Sequence, residues 1–255
     1  MNAEAVKIFG ERNCGTNALK NLIEDNSGSS ILPTTEFDID ADAASRAWAI
    51  ENRREFERAL DAIYADVPVL SSWKHCAANF LDPSAFSGSL VLFCVRHPAS
   101  WLVSLYRNPY HILTEKPATL AEFIDYQWET GARERLGGRT FRPLELYHEK
   151  LASYVGFATR LREGGIASRF VRQEDLLLRP KQIFRSLAPQ LSDPRKRVRL
   201  RLTSTKRSWM PVVFVRRYYA REAWREELRG LESRVNADVD WGLAGEFGYS
   251  PVGSA

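Results

Sequence analysis

Val6-Lys-Ile-Phe-Gly-Glu-Arg-Asn-Cys-Gly-Thr-Asn17 decides how the chain is read. Val6 to Phe9 reads as a short strand, and Thr16 to about Asp25 carries Leu19, Leu22 and Ile23 at helical spacing. Between them, Gly10 to Gly15 is too glycine-rich and polar for either element. A strand that turns through glycines into a helix can point consecutive N–H groups at an anion. The helix start adds unpaired donors and the positive end of its dipole. The glycines keep the Gly-x4-Gly spacing of a nucleotide phosphate loop, but Asn17 and Ala18 stand where such a loop carries lysine and a hydroxyl. The lysine serves β- and γ-phosphates and the hydroxyl serves Mg²⁺, so the departure argues against ordinary nucleoside triphosphate chemistry. Arg12, Asn13, Cys14, Gly15, Thr16 and Asn17 are the anion-binding candidates here. A ligand-free turn of the same shape is the competing reading.

A second junction repeats the arrangement. Leu90 to Val95 is a continuous apolar run, as in a strand buried on both faces. Arg96 follows it, at the strand end where α/β sheets bind ligands. Pro98 opens a helix, and Ser104 lies two turns into it. Arg96 and Ser104 together could hold one phosphate through a charged fork and a hydroxyl.

The remaining chain alternates in the same way. Val67 to Trp73 and Ile166 to Val171 read as further strands. Helices are predicted from Asp42 to about Ala65, Thr119 to Trp128, Leu144 to Arg162, Pro180 to Leu187 and Arg216 to about Val235. Thr119 with Glu122 forms a capping box, and Gly164-Gly165 stops the Leu144 helix. The expected fold is α/β: three layers, P-loop-like, with a mostly parallel central sheet flanked by helices. At 255 residues, a single domain spanning 1–255 is expected.

With both junctions in view, the sequence resembles the PAPS-dependent sulfotransferase family. Phe9-Gly-Glu-Arg-Asn-Cys-Gly-Thr-Asn17 looks like its 5′-phosphosulfate motif, and Arg96 with Ser104 like its 3′-phosphate motif. Val171-Arg-Gln-Glu-Asp-Leu-Leu177 is similar to the family's Tyr-Glu-Asp-Leu segment, with Gln173 in place of tyrosine. The resemblance spans most of the chain outside 27–70 and 186–215. It implies transfer of a sulfonate from PAPS to an acceptor hydroxyl, with PAP as product and no metal required. The acceptor could be a glycan. Many members carry a lysine just before the Ser/Thr-Gly of the first loop. Asn13 holds that place here, and Arg12 and Lys74 are the two cations that could replace it.

In-line transfer needs a base at the acceptor hydroxyl and positive charge at the leaving phosphate. Ser71-Ser-Trp-Lys-His75 resembles the family's Lys-x-His segment without the intervening residue. His75 is therefore the candidate base and Lys74 a candidate for the bridging oxygen. Glu11 and Glu36 compete with His75. His97 reads as a packing residue, His111 as one that could approach substrate, and His148 as helix surface. Lys206 and Arg207, at the end of the basic run 195–207, resemble a segment that closes over the nucleotide. Trp48, Trp101, Trp128 and Trp224 fall at core spacing, whereas Trp73 or Trp209 could stack on a base or sugar.

Composition bounds the rest. Apolar residues at 44%, charged residues at 27% and a net charge of +4 suit a globular protein with an anionic partner. No recognised module supports nucleic-acid binding. No signal sequence or stretch of about 18 apolar residues stands out, so a cytoplasmic setting without a membrane span is expected. Three scattered cysteines form neither a disulfide framework nor a zinc signature. Two other functions stay open: a nucleotide kinase or NTPase, and a non-catalytic PAP-binding protein.

Overall fold

A computed structural model describes residues 2–33, 51–65, 67–202 and 211–253. The chain is α/β. Strands β1 (Ala5–Gly10), β2 (Ser30–Ile31), β3 (Ser89–Val95) and β6 (Ser168–Arg172) form a wholly parallel sheet in the order β2-β1-β3-β6. A separate antiparallel pair joins β4 (Trp128–Glu129) to β5 (Thr140–Phe141). The helices are α1 (Thr16–Glu24), α2 (Arg53–Ala65), α3 (Pro98–Arg107), α4 (Leu120–Ile124), α5 (Pro143–Glu163), α6 (Gln173–Leu178), α7 (Pro180–Leu187), α8 (Val212–Ala220), α9 (Trp224–Glu227), α10 (Glu232–Asp238) and α11 (Trp241–Gly245). None of the described helices is long and apolar enough to cross a membrane.

Strand alternation builds a core on each face of the sheet. Leu90, Leu92 and Cys94 of β3 join Val6 and Ile8 on one face, with Leu19 and Ile23 of α1. Val91 and Phe93 turn the other way, with Phe9 of β1, and meet Tyr154, Phe157 and Leu161 of α5. The rings of Phe9, Phe93, Tyr154 and Phe157 stack and cross at 5.6–6.4 Å. Both faces of β1 and β3 are thus buried, which is why Leu90 to Val95 reads as an unbroken apolar run, whereas β1 carries Lys7 among its apolar residues.

The topology sets where a ligand can sit. From β1 the chain passes through α1 to β2 on one side. From β3 it proceeds toward β6 on the other. The connections diverge between β1 and β3, and a crevice opens at their carboxyl ends. Gly10 pairs with Cys94 at that edge, so both junctions singled out in the sequence meet there.

Several expectations change. Val67 to Trp73 is not a strand but a coil with one 3-10 turn at Val69–Ser71. Pro68 lacks the N–H of a ladder residue. The carbonyls of Leu70 and Ser72 are instead taken by the buried ammonium of Lys7, at 2.6 and 2.8 Å. That ammonium also bonds the Pro33 carbonyl at 3.1 Å, and burial, the largest influence on it, pushes its pKa down to about 8. The Thr119 capping box forms as expected, yet its helix ends at Ile124 and Trp128 begins β4. The single terminal helix becomes α8 to α10, broken where Glu222 and Gly230 adopt positive φ of 47° and 81°. The expected start of the helix at Asp42 lies outside the described residues, as does Trp48.

Candidate functional site

The loop after β1 is held in place before any ligand arrives. A side chain at Gly10 would put its Cβ 2.7 Å from the Cys94 carbonyl oxygen, so only glycine lets β1 and β3 approach this closely. Gly15 sits at φ 91° and Asn13 at φ 65°, both in the left-handed region. Gly15 is the N-cap of α1 and offers no side-chain cap, and the first turn holds no acid. The N–H groups of Thr16, Asn17 and Ala18 therefore have no intrahelical acceptor, and the positive dipole end is uncompensated. Of the other loop amides, Cys14 N–H turns back to the Glu11 carbonyl at 3.1 Å.

Lys74 and Arg12 part company in the structure. Lys74 Nζ donates to Asn17 Oδ1 at 2.8 Å, so an ammonium stands over the first turn of α1. Arg12 instead is 1% exposed and turned inward. Its guanidinium forms a fork on Glu134 at 2.8 and 3.1 Å and bonds Glu11 at 2.7 Å. Lys150 completes a buried quartet, 2.5 Å from both Glu11 and Glu134. Two carboxylates and two cations cancel within it. Burial opposes ionisation of Glu134, but Arg12 and Lys150 outweigh it and hold the carboxyl far below its usual range. Arg12 is thereby removed as a phosphate ligand and as the replacement for the loop lysine, because both of its terminal guanidinium nitrogens are held by buried carboxylates. Glu11 is removed as a free base for the same reason. Cys14 is also buried, and burial raises its thiol pKa, so only the backbone at that position faces loop chemistry.

Arg96 meets the loop from β3. Its Nη1 donates to the Asn13 carbonyl at 2.9 Å, and Nη2 donates to Tyr219 Oη and Ser100 Oγ, each at 2.9 Å. Tyr219 also lays its ring under the guanidinium, 5.2 Å away. None of these partners is a carboxylate. Ser104 lies one turn beyond Ser100 on the same face of α3.

A cleft of about 150 Å³ opens beside Arg96. Asn13 and Gly15 form its loop side. Leu22, Leu176, Pro180 and Val215 supply an apolar floor, and Arg199, Arg201 and Arg216 reach its walls. Arg201 is engaged by Asp25 at 2.7 Å. Arg96, Arg199 and Arg216 form no ion pair among the described residues, and Arg216 Nε is buried without a partner. Cations without a carboxylate partner over an apolar floor suit a ligand with a flat apolar part and several negative charges. Sequence reading did not single out Arg199 or Arg216 individually. The basic run and the helix after it were the only signals.

His75 stands on the other side of the loop. Its Nδ1 is 2.5 Å from the Gly10 carbonyl, which can only accept, so Nδ1 carries the proton and Nε2 the lone pair. Burial first, then the charges of Lys74 and Arg12, keep its pKa well below 6.5. His75 is therefore neutral at pH 7, with its Nε2 lone pair unprotonated. Its ring meets Trp73 edge to face at 4.9 Å. Trp73 is no stacking platform for a ligand. It is 6% exposed and covered by Arg12 and Arg133 at 5.0 and 4.6 Å.

His97 packs among Trp224, Trp241 and Tyr249, as its sequence context suggests. His148 is half-buried with an unpartnered Nε2, not a surface residue. Trp101, Trp128 and Trp224 are buried, and Trp101 Nε1 donates to the Arg12 carbonyl at 2.7 Å. Glu174 of the Gln-Glu-Asp-Leu segment braces the site from behind. It accepts the His97 N–H at 3.0 Å and Tyr249 Oη at 2.8 Å. Glu36, Lys206, Arg207 and Trp209 lie outside the described residues.

No protein-family model and no curated protein matches the chain.

Proposed function

We propose that the protein is a sulfotransferase of P-loop-like fold that moves a sulfonate from PAPS to an acceptor hydroxyl. The observation that carries this reading is the uncapped loop-to-helix turn. It opens on a cleft in which Arg96, Arg199 and Arg216 have no carboxylate partner among the described residues. The 5′-phosphosulfate would lie on the N–H groups of Thr16, Asn17 and Ala18. The 3′-phosphate would take Arg96, with Ser104 beside it. The adenine would rest on the apolar floor.

In the transfer, the acceptor oxygen bonds to sulfur as the bond from sulfur to the 5′-phosphate oxygen breaks. The acceptor proton goes to His75 Nε2, and PAP leaves with the electron pair. Lys74 and the helix start stabilise the charge that builds on the leaving phosphate.

Calorimetric titration tests the reading. PAP is expected to bind without Mg²⁺ and more tightly than AMP or ATP. Mg²⁺-dependent ATP binding stronger than PAP binding would replace it with a kinase or NTPase. PAP binding without transfer to any acceptor would leave a binding protein of the same fold. Arg96→Ala is expected to cost about 1.5–3 kcal/mol of PAP affinity, the range for a charged hydrogen bond. Unchanged affinity would remove Arg96 from the site.

A further inference from the structure

Lys7 is the one charged residue of β1, and it is 0% exposed. Strand alternation puts it on the face of Phe9, whose ring lies 5.3 Å from Nζ. No carboxylate pairs with it among the described residues. Its three N–H groups go instead to three backbone carbonyls: Leu70 at 2.6 Å, Ser72 at 2.8 Å and Pro33 at 3.1 Å. A buried ammonium is costly unless every N–H finds an acceptor, and here the match is three to three.

The carbonyls at 70 and 72 lie on the approach to His75. This stretch has only the 3-10 turn at Val69–Ser71 and no strand ladder to hold it. Beyond Ser72, the Lys74 carbonyl accepts from the Gly10 N–H at 2.9 Å, and the Cys76 N–H closes a turn onto the Trp73 carbonyl at 3.0 Å. His75 Nδ1 donates to the Gly10 carbonyl. β1 therefore grips the His75 segment twice, at Gly10 through the backbone and at Lys7 through a side chain. The Gly10 bond fixes one nitrogen of the imidazole and leaves rotation about that point. Trp73, next to the Lys7 anchor at Ser72, removes this freedom by packing edge to face on His75 at 4.9 Å. Trp73 also meets His111 at 5.3 Å, and His111 Nδ1 lies 2.9 Å from Glu57 Oε1.

The Lys7 grip depends on its proton. An ammonium has three N–H donors, whereas a neutral amine has two and a lone pair. The amine leaves one of the three carbonyls facing a lone pair. Burial, the largest influence, lowers the Lys7 pKa to about 8. The titratable and charged groups that face it are Cys76, which opposes the shift, and Lys74, which adds to it. The Cys76 thiol is itself pushed up to about 12 by burial, so it stays neutral while Lys7 titrates.

We propose that Lys7 is a positioning residue for His75: its ammonium, spread over three carbonyls, holds Trp73 and the turn behind it, and so fixes the direction of the His75 Nε2 lone pair. Its meaning for catalysis rests on the transferase reading, in which His75 is the base.

The test is an NMR pH titration of the whole protein with labelled histidine and tryptophan, from pH 6.5 to 10 and without nucleotide. The His75 ring resonances are assigned by their loss in His75→Asn. They are expected to step with a midpoint near 8, far above the protonation of His75 itself. His97, packed among Trp224, Trp241 and Tyr249, should show no such step. Cross-relaxation between the His75 and Trp73 rings reads geometry rather than charge, and it should weaken across the same step. In Lys7→Arg, which stays charged throughout, the step is expected to vanish. In Lys74→Met it should remain, with its midpoint raised because a like charge is gone. Absence of the step in the wild-type protein overturns the proposal, whatever the variants do. So does a step that is lost in Lys74→Met, or one that leaves the contact between the two rings unchanged. Failure of PAP to bind in calorimetry is a separate result: it overturns the transferase reading and leaves the Lys7 grip standing.

Discussion

Glu134→Leu is expected to cost about 3–5 kcal/mol of folding stability, the range for removing one partner of a buried ion pair. Without that carboxylate, Arg12 and Lys150 share only Glu11, and a net positive charge is stranded at sites 0–1% exposed. Glu134→Gln keeps the shape and two polar atoms. It is expected to recover part of the loss and so separate charge from packing. Urea unfolding measures both, and a loss below about 1 kcal/mol would mean that water reaches the quartet. The pH dependence follows from the same groups. Glu134 has a depressed pKa in the folded state, so its contribution is present above 4.5 and fades as pH falls toward the folded value. The chain's four histidines act earlier. His75, His97, His111 and His148 all have folded pKa values below 6.5. The unfolded chain binds protons at these sites first, so stability is full above pH 6.5 and declines as pH drops below it. Stability that rises on acidification from pH 7 to 5 would contradict these environments.

His75→Asn is expected to lower turnover by about 10²–10⁴-fold, the usual weight of a general base. Asparagine can still donate to the Gly10 carbonyl from the position of Nδ1, so the loop anchor survives while the lone pair of Nε2 is lost. PAP affinity should therefore change little. His75→Ala removes anchor and base together and should weaken PAP binding as well. Comparing the two variants by PAP calorimetry and by single-turnover transfer separates the roles. Retained turnover in His75→Asn would take the base assignment away from His75. The pH profile gives a second check. Because His75 is neutral well below 6.5, activity should stay flat through neutrality and fall only at more acid pH. This is a sharper expectation than an ordinary histidine provides.

The sequence by itself determined the parts whose causes are local. The glycines at 10 and 15, the apolar runs of β1 and β3, and Pro98 at the start of α3 each fix backbone geometry within a few residues. The parallel sheet, the loop and the place of Arg96 were legible from them. The two-faced burial of β3 was legible too, because an unbroken apolar run has no polar side to leave in water. Tertiary structure alone decided which charges are available for chemistry. Arg12 and Lys74 were equal candidates in the sequence. They differ only because Glu134, 122 residues from Arg12, arrives beside one of them and Asn17 beside the other. Val67 to Trp73 had the composition of a strand but lost its carbonyls to Lys7, a buried ammonium that no spacing rule places there. The pairing of Glu57 with His111 likewise spans 54 residues. A buried charge needs a partner, and the chain does not carry that partner nearby. Which cation turns inward and which stays at the loop is therefore settled only once the whole core closes around it.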